Sequence, residues 1–461
     1  MRMVAFALVL AAASPAQVAL PPFSKRTLPN GVTLILSPKR DVPLLSLRAI
    51  ALGGDEADPP GMTGLAEVLQ DLLRRGTTTL TAEQFAEELD VLGAAWQGRV
   101  NWQAFTLGID CLSAESAKAV ELLAGAALRP AFAEAEFKKA LAQRTDSVKA
   151  VKDQPERAMM NYFPKFAFGP SHPYGRVADE ASLGGITRDA VVKQHQRLFG
   201  GRNLVVIAAG DFDERALGAA LEKAFGAAPA GTRYEWMKDP GLPRRKGPRL
   251  LLIDKPDATQ TYFFIAQDGI SRTDPDRVPL QIVNTLFGGR FTSLLNDALR
   301  VSSGLTYGAQ NRLPRDRMRS VNYIATFTKS ETTVEAIDLA LKVLDGFVKN
   351  GIDAAGLESA KNYIKGMYPT QTLETHGQIA TVLGDLAVFD LNRGEVDDLF
   401  SSIDAVTVER ANAAIRKHYR GDRLQLVLLG PAAKIREQVK KYASEMRVVS
   451  INDTGFPVPE F

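Results

Sequence analysis

The feature that most constrains the fold is an order of strands and helices that occurs twice along the chain. In the first half, alternating segments on either side of Asn30-Gly31 predict a hairpin, and a strand at 44–52 follows. Helical periodicity then appears at residues 61–75, 81–92, 114–127 and 132–152. The second half repeats this order, with elements at 250–253, 261–266, 279–286, 292–299, 305–312, 322–328 and 333–350. Strands followed by runs of helices predict an α+β domain used twice.

A stretch rich in proline and glycine at residues 228–248 separates the two halves, and it contains the basic cluster Arg244-Arg245-Lys246. A chain of 461 residues is also too long for one ordinary domain. We therefore predict two similar domains, at residues 23–227 and 249–447, joined by this linker. Each domain is expected to contain a mainly antiparallel sheet with helices packed on one face.

Composition excludes some functions. The chain has 56 basic and 53 acidic residues, and the net charge of +3 gives no electrostatic footprint for nucleic acid. We therefore expect no nucleic-acid partner. The single cysteine, Cys111, cannot form an internal disulfide, and the strand-like alternation around it predicts a buried position.

The N-terminus has the pattern of an export signal. Arg2 precedes an apolar run at residues 3–13, and the small residues of Ser14-Pro15-Ala16 follow. We predict a signal peptide at residues 1–16, a mature chain that starts near Gln17, and an exported protein that is periplasmic or secreted. The alternative is a buried N-terminal strand or helix. The run is too short to span a bilayer, and no later segment predicts a membrane span.

A helical segment at residues 64–77 reads GLAEVLQDLLRRGT. Its apolar residues recur at i, i+3, i+4, i+7 and i+8 and predict one buried face: Leu65, Val68, Leu69, Leu72 and Leu73. Four polar residues fall on the opposite face with the same spacing: Glu67, Gln70, Asp71 and Arg74. Gly76 is placed to end the helix.

This segment resembles the Gly-Leu-x-His-x-x-Glu-His-x-x-x-x-Gly-Thr helix of the insulinase/pitrilysin zinc peptidases. In that family two histidines bind zinc and the glutamate between them polarises the attacking water. The resemblance puts Glu67 and Asp71 at the ligand positions and Gln70 at the position of the base. The position of the family's third ligand falls on Ser147, with Asp146 adjacent.

These replacements predict a chain that holds no metal. Gln70 cannot accept a proton from water, so a general base is missing. Zinc prefers nitrogen and sulfur ligands, whereas Glu67, Asp71 and Ser147 offer only oxygen. Two alternatives are a weak hard-cation site at Glu67 and Asp71 and a solvated helix face. On such a face Asp71 would pair with Arg74 or Arg75.

The histidines give no other zinc motif. The four histidines lie far from the helix in sequence, and no pair has i, i+4 spacing: His172, His195, His376 and His418. His172 belongs to a Ser-His-Pro-Tyr-Gly loop at 171–175, which is similar to a recurring element of the same family. We interpret it as a packing element.

A second constellation is intact. A Gly-Gly turn at 288–289 is followed by a helix to about Arg300, a break at Gly304 and a predicted strand that carries Tyr307. Read alone, an arginine at a helix end and a tyrosine in a strand are both common. However, the segment resembles the Leu-Gly-Gly, Leu-Arg and Gly-Leu-x-Tyr signature of the family's second domain. The resemblance implies that Tyr307 donates to the developing oxyanion and that Arg300 holds a substrate carbonyl.

The resemblance extends over residues 23–447 and implies an assembly. Family members of this size commonly form dimers of half-shells in which one chain holds zinc and the other supplies arginine and tyrosine. The chain is similar in role to the non-catalytic subunit of the mitochondrial processing peptidase. We expect a homologous partner with His-x-x-Glu-His and zinc, and peptide substrates. The alternatives are a structural core protein and an exported peptide-binding or chaperone-like module.

Overall fold

The computed structural model describes residues 18–243 and 245–461. The predicted signal peptide lies outside the described residues. The strands of the first half are β1 (Ser24–Thr27), β2 (Thr33–Pro38), β3 (Leu44–Leu52), β4 (Ala95–Val100), β5 (Ala104–Leu112) and β6 (Leu204–Gly210). Those of the second half are β7 (Arg249–Asp254), β8 (Gln260–Asp268), β9 (Ile270–Ser271), β10 (Ala309–Arg312), β11 (Arg315–Asp316), β12 (Val321–Lys329), β13 (Gln425–Gly430) and β14 (Glu445–Ser450).

The helices of the first half are α1 (Leu65–Leu72), α2 (Ala82–Val91), α3 (Ser116–Leu128), α4 (Glu134–Ala150), α5 (Pro155–Phe168), α6 (Glu180–Gly184), α7 (Arg188–Leu198) and α8 (Glu214–Phe225). Those of the second half are α9 (Arg277–Asn284), α10 (Leu294–Asn296), α11 (Thr333–Asn350), α12 (Ala354–Thr372), α13 (His376–Val388), α14 (Gly394–Asp397), α15 (Leu399–Asp404), α16 (Val408–His418) and α17 (Ala432–Val439). Two π-helical turns flank α10, at Thr285–Gly289 and Asp297–Ser302.

Each half contains one six-stranded mixed sheet, and the two sheets have the same plan. The first has the order β1-β2-β6-β3-β5-β4, with only β2 and β6 parallel. The second has the order β10-β12-β8-β13-β7-β14, with β13 parallel to β7 and β7 parallel to β14. Five strands of one sheet therefore match five of the other in order and direction. The prediction of two similar α+β domains with mainly antiparallel sheets is confirmed.

Helices of the same half cover one face of each sheet. Alternation along the strands sends every second residue into this core, as Leu34 and Leu36 of β2 and Val206 of β6 illustrate. They pack against the buried residues of α1, α3, α7 and α8. The second half has the same arrangement, in which β7, β8 and β13 pack against α9, α11, α16 and α17.

The opposite face of each sheet is covered by a helix from the other half. Ile35, Ile50 and Ile207 of the first sheet pack against Ile379 and Leu383 of α13. In return, α5 covers the second sheet, where its buried aromatic residues contact β7, β8 and β13. Each half therefore lacks a complete core without the other.

The segment between the halves is fixed to its neighbours. The Met237 amide donates to Glu56 Oε1 at 2.8 Å, and Asp239 Oδ2 accepts from the Arg319 amide at 3.0 Å. Residues 228–243 and 245–248 contain no helix or strand. No helix in the described part of the chain is long and apolar enough to cross a membrane.

Candidate functional site

The helix that carries the degenerate zinc motif is shorter than the predicted 61–75. It begins at Leu65, because Gly64 has a positive φ of 99° and breaks the preceding turn. The Asp58 carboxylate caps this start, accepting from the amides of Gly64 at 2.8 Å and Ala66 at 2.9 Å. Burial raises the pKa of Asp58 to about 7.

Gln70, at the position of the catalytic base, is buried against the neighbouring strand. Its side chain is 7% exposed, so its predicted place on a solvated face is wrong. Strand β4 approaches so closely that a Cβ on Gly98 would lie 2.7 Å from Gln70 Nε2. Gln70 Oε1 has no hydrogen-bond partner among the described residues. A side chain enclosed in this way, with no basic atom, cannot activate water.

The two residues at the ligand positions share one arginine. Arg144 of α4 places Nη2 2.9 Å from Asp71 Oδ2 and Nη1 3.6 Å from Glu67 Oε2. The expected pairing of Asp71 with Arg74 or Arg75 is therefore wrong. The reason is tertiary: α4 packs beside α1, and Arg75 also turns towards α4, where it pairs with Glu136 at 3.1 Å.

Ser147 lies on α4 one turn beyond Arg144, and its hydroxyl donates to the Gln143 carbonyl at 2.8 Å. A cleft of about 470 Å³ brings Ser147 together with Glu67 and Arg144. Its other walls come from both halves and include Trp102, Phe163 and Tyr323. Two of the positions that the family resemblance singled out, Glu67 and Ser147, therefore lie at one cleft.

Two further carboxylates stand at this cleft, Asp55 and Asp58. Burial, with smaller contributions from Glu67 and Asp58, raises the pKa of Asp55 well above its ordinary value. Burial also raises the pKa of Glu67, which Asp71 reinforces and Arg144 opposes. Sequence reasoning missed both Asp55 and Asp58. An acidic residue ahead of a helix start was a signal for the Asp58 cap, but no local signal indicated Asp55.

Zinc does not fit this donor set. Within residues 18–243 and 245–461 the cleft is lined by no histidine and no cysteine. The place between Glu67 and Asp71 is taken by the Arg144 guanidinium, which repels a second cation. The residues at the family's zinc positions thus form an internal ion-pair network.

The four histidines make other contacts. His172 accepts from the Tyr174 amide at 3.0 Å and is 1% exposed, which agrees with its interpretation as a packing element. His195 donates to the Ala127 carbonyl at 2.8 Å, and His376 contacts Asp41 at 2.7 Å. His418 contacts Asp276 at 2.8 Å.

Asp274, Asp276 and His418 are close enough to bind a cation together. However, Asp276 already pairs with Arg410 at 2.5 Å and with Lys417 at 2.7 Å. Arg410 and Lys417 already balance the negative charge of Asp276, so these residues form an ion-pair cluster and not a metal centre.

Arg300 and Tyr307 lie outside the cleft, on a segment of the second half that faces solvent. The Arg300 guanidinium stacks on the Phe291 ring at 4.2 Å from its centroid. Its Nη1 is buried and has no hydrogen-bond partner among the described residues. Tyr307 is 83% exposed, and Phe291 is 67% exposed.

Tyr307 precedes the strand that was predicted to carry it, because β10 begins at Ala309. A turn held by threonine hydroxyls explains the difference. Thr306 Oγ1 accepts from the Gly308 amide at 3.2 Å, and Thr326 Oγ1 donates to Thr306 Oγ1 at 3.1 Å. The turn buries Thr306 and directs Tyr307 outward. Gly304, with a φ of 67°, breaks the chain where it was predicted to.

The fold and these two regions define a class: a two-domain α+β protein whose peptidase-like helix carries Glu67, Gln70 and Asp71 where the family resemblance expects His, Glu and His. Comparison with known proteins agrees. The family model described as Insulinase (Peptidase family M16) matches residues 50–172. The model described as Peptidase M16 inactive domain matches residues 185–364. The chain belongs to the M16, or insulinase, peptidase family.

Relatives cover nearly the full chain. An uncharacterized zinc protease of Mycobacterium tuberculosis is 25% identical over 425 residues, which are 91% of this chain and 95% of that protein. The uncharacterized zinc protease YmxG of Bacillus subtilis is 21% identical over 415 residues, 89% of this chain and 98% of that protein. The name zinc protease applies to those proteins; this chain has Glu67, Gln70 and Asp71 at the motif.

Solved structures support the fold. The structure of a peptidase M16 inactive domain from Pseudomonas fluorescens has a TM-score of 0.83 at 24% identity and covers 89% of this chain and 98% of its own. A protease from Helicobacter pylori has a TM-score of 0.82 at 19% identity and covers 89% and 100%.

Proposed function

We propose that this chain is the metal-free subunit of an exported, heterodimeric zinc peptidase, similar in role to the non-catalytic subunit of the mitochondrial processing peptidase. A homologous partner with an intact His-x-x-Glu-His helix binds the zinc. This chain contributes Arg300 and Tyr307 to the hydrolysis of peptides at the partner's site.

The observation that carries the proposal is a difference between two regions: the helix with Glu67, Gln70 and Asp71, and the segment with Arg300 and Tyr307. Arg144 contacts both carboxylates at the ligand positions, and Gln70 is enclosed, so this chain's own helix cannot support hydrolysis. The side chains of Arg300 and Tyr307 form no ion pair or hydrogen bond within the described residues. Tyr307 is 83% exposed, so its hydroxyl is available to another molecule, whereas the unpaired Nη1 of Arg300 is buried in the isolated chain.

The chemistry follows from the donor types. The partner's zinc supplies the activated water. The exposed Tyr307 hydroxyl donates to the oxygen on which negative charge develops, and Arg300 donates to a carbonyl of the bound peptide. Phe291 holds the guanidinium in place by stacking, so less conformational entropy is lost when a peptide binds.

The test is reconstitution. The tagged chain is purified from its own cells, and a co-purifying protein counts as the partner only if it carries His-x-x-Glu-His. Hydrolysis of a quenched fluorescent peptide is then measured for each chain alone and for the pair. We expect activity only from the pair, and its loss with a zinc chelator. Chelator-sensitive hydrolysis by this chain alone would falsify the proposal.

Two other results would replace the proposal. An active pair that is unaffected by Arg300→Ala and Tyr307→Phe, with the dimer intact, favours a structural subunit. Peptide binding by the isolated chain, with no zinc-bearing partner in its cells, favours a peptide-binding module.

A further inference from the structure

We propose that the Arg144 guanidinium is a built-in cation that takes the structural place of the zinc ion, so that the pairing of α1 with α4 depends on this side chain and not on a metal. The inference concerns this chain alone and holds whether or not it joins a zinc-bearing partner.

The geometry is that of a bridging cation. Glu67 and Asp71 are four residues apart on α1, so their carboxylates lie on the same helix face and repel each other. One nitrogen of Arg144 approaches each of them, at 3.6 Å and 2.9 Å. A planar guanidinium with donors on separate nitrogens can serve two carboxylates at once, whereas a lysine ammonium is a single point charge.

The charge balance makes this role necessary. Asp55, Asp58 and Glu67 lie around the N-terminal turn of α1 and Asp71 lies in its last turn, and Asp55 Oδ1 is buried with no partner among the described residues. Arg157 and Arg176 also line the cleft, but Arg157 forms no ion pair within the described residues and Arg176 donates to the backbone carbonyl of Asp58 at 3.4 Å and not to its carboxylate. Arg144 is therefore the cation that directly compensates this acidic group.

The partial burial of Arg144, Glu67 and Asp71 makes their ion pairs important for stability. The Arg144 side chain is 26% exposed, and those of Glu67 and Asp71 are 36% and 37% exposed, with Glu67 open to the cleft. Removal of the guanidinium alone would leave uncompensated carboxylates in a confined space, which is the costly case for a partly buried ion pair.

The experiment measures thermal unfolding of the chain without its signal peptide, at neutral pH in EDTA. We expect Arg144→Met to lower Tm by about 2–4 °C, because the unfolding entropy of a chain of this length is large and the loss of one partly buried interaction shifts its Tm only by a few degrees. Arg144→Lys should recover only part of the loss. Arg157→Met is the matched control, because Arg157 lines the same cleft and forms no ion pair within the described residues. Its Tm should stay within about 1 °C of the wild type.

Cation rescue distinguishes charge from packing. Replacing EDTA by 5 mM CaCl₂, against KCl of equal ionic strength, should recover about half of the Tm loss of Arg144→Met and leave the wild type unchanged, because Ca²⁺ binds oxygen ligands. The triple variant Glu67→Gln, Asp71→Asn, Arg144→Met removes charge from both sides. We expect its Tm within about 1 °C of the wild type and without a calcium response.

A wild-type Tm for Arg144→Met would overturn the proposal. So would a loss that neither calcium nor the triple variant reduces, because that pattern indicates packing alone. If Arg144→Met is insoluble, a soluble triple variant supports the proposal and an insoluble triple variant overturns it.

Discussion

The Glu67–Asp71 region of the first half and the Arg300–Tyr307 region of the second half differ in where their polar groups find partners. Glu67 and Asp71 both form ion pairs with Arg144 of the same chain. Arg300 has a buried nitrogen with no partner in the described chain, and Tyr307 is 83% exposed. We refer to them below as the closed region and the open region.

The difference separates two kinds of consequence. Substitutions in the closed region change contacts that hold the chain together, and should therefore appear in the free energy of unfolding. Those in the open region remove groups that the fold does not use, and should appear only when another molecule is bound.

The largest expected effect is on stability, from two phenylalanines compared directly. Phe163 lines the cleft at the closed region, is 3% exposed and packs against Phe264 and Tyr323 across the two halves. Phe163→Ala should cost about 3–5 kcal/mol of unfolding free energy. Phe291→Ala, in the open region, should cost less than about 1 kcal/mol. Urea unfolding followed by tryptophan fluorescence measures both, and equal losses would contradict the division.

The next effect is on activity. In the active pair, Tyr307→Phe or Arg300→Ala should lower kcat/KM by about 10²–10³-fold, or roughly 3–4 kcal/mol of transition-state stabilisation. The thermal stability of the isolated chain should not change, because neither side chain has an internal polar partner. Val301→Ser is the control, since Val301 is 66% exposed on the same segment and has no catalytic donor. A drop in Tm that accompanies the loss of activity would show that these residues stabilise the fold, as those of the closed region do.

Local patterns predicted the elements well where the contacts that form them are local. The strand at 44–52 and the helix at 333–350 occur with those boundaries, because side-chain alternation and helical periodicity follow from local geometry. The predicted helices at 279–286 and 292–299 were less accurate. Their ends widen into π-helical turns at Thr285–Gly289 and Asp297–Ser302, which periodicity of 3.6 residues does not encode.

Long-range pairing was beyond sequence reasoning. Arg144 is 73 residues from Asp71, and it displaced the local pairing with Arg74 or Arg75 that helical spacing favoured. The exchange of α5 and α13 between the sheets likewise has no local signature. The motif positions Glu67, Gln70, Asp71 and Ser147 came from the family resemblance, and the structure supplies what the alignment lacked: the cation between two of them.

The free energy of unfolding should also depend on pH, by an amount no larger than the effects above, because of His195 in the core of the first half. His195 lies on α7, which packs against α1, and burial lowers its pKa from 6.5 to about 4. The unfolded chain therefore binds this proton at a higher pH than the folded chain does. Stability from His195 is intact above pH 6.5 and is lost as the pH falls towards 4, by up to about 3 kcal/mol. His195→Gln should flatten this part of a pH series of urea midpoints; an unchanged slope would exclude His195 as the cause.

The smallest effect tests the closed region by removing one charge and retaining its shape. Asp71→Asn breaks the 2.9 Å ion pair with Arg144, but both side chains are partly exposed and Glu67 still contacts the guanidinium. Solvent screening therefore limits the expected loss to about 1 kcal/mol or less. Asp189→Asn breaks the Lys193 pair on α7, where both side chains are 73% exposed, and should have no measurable effect. If Asp71→Asn also changes nothing in urea midpoints, Arg144 acts mainly through Glu67, and the closed region is held by one carboxylate.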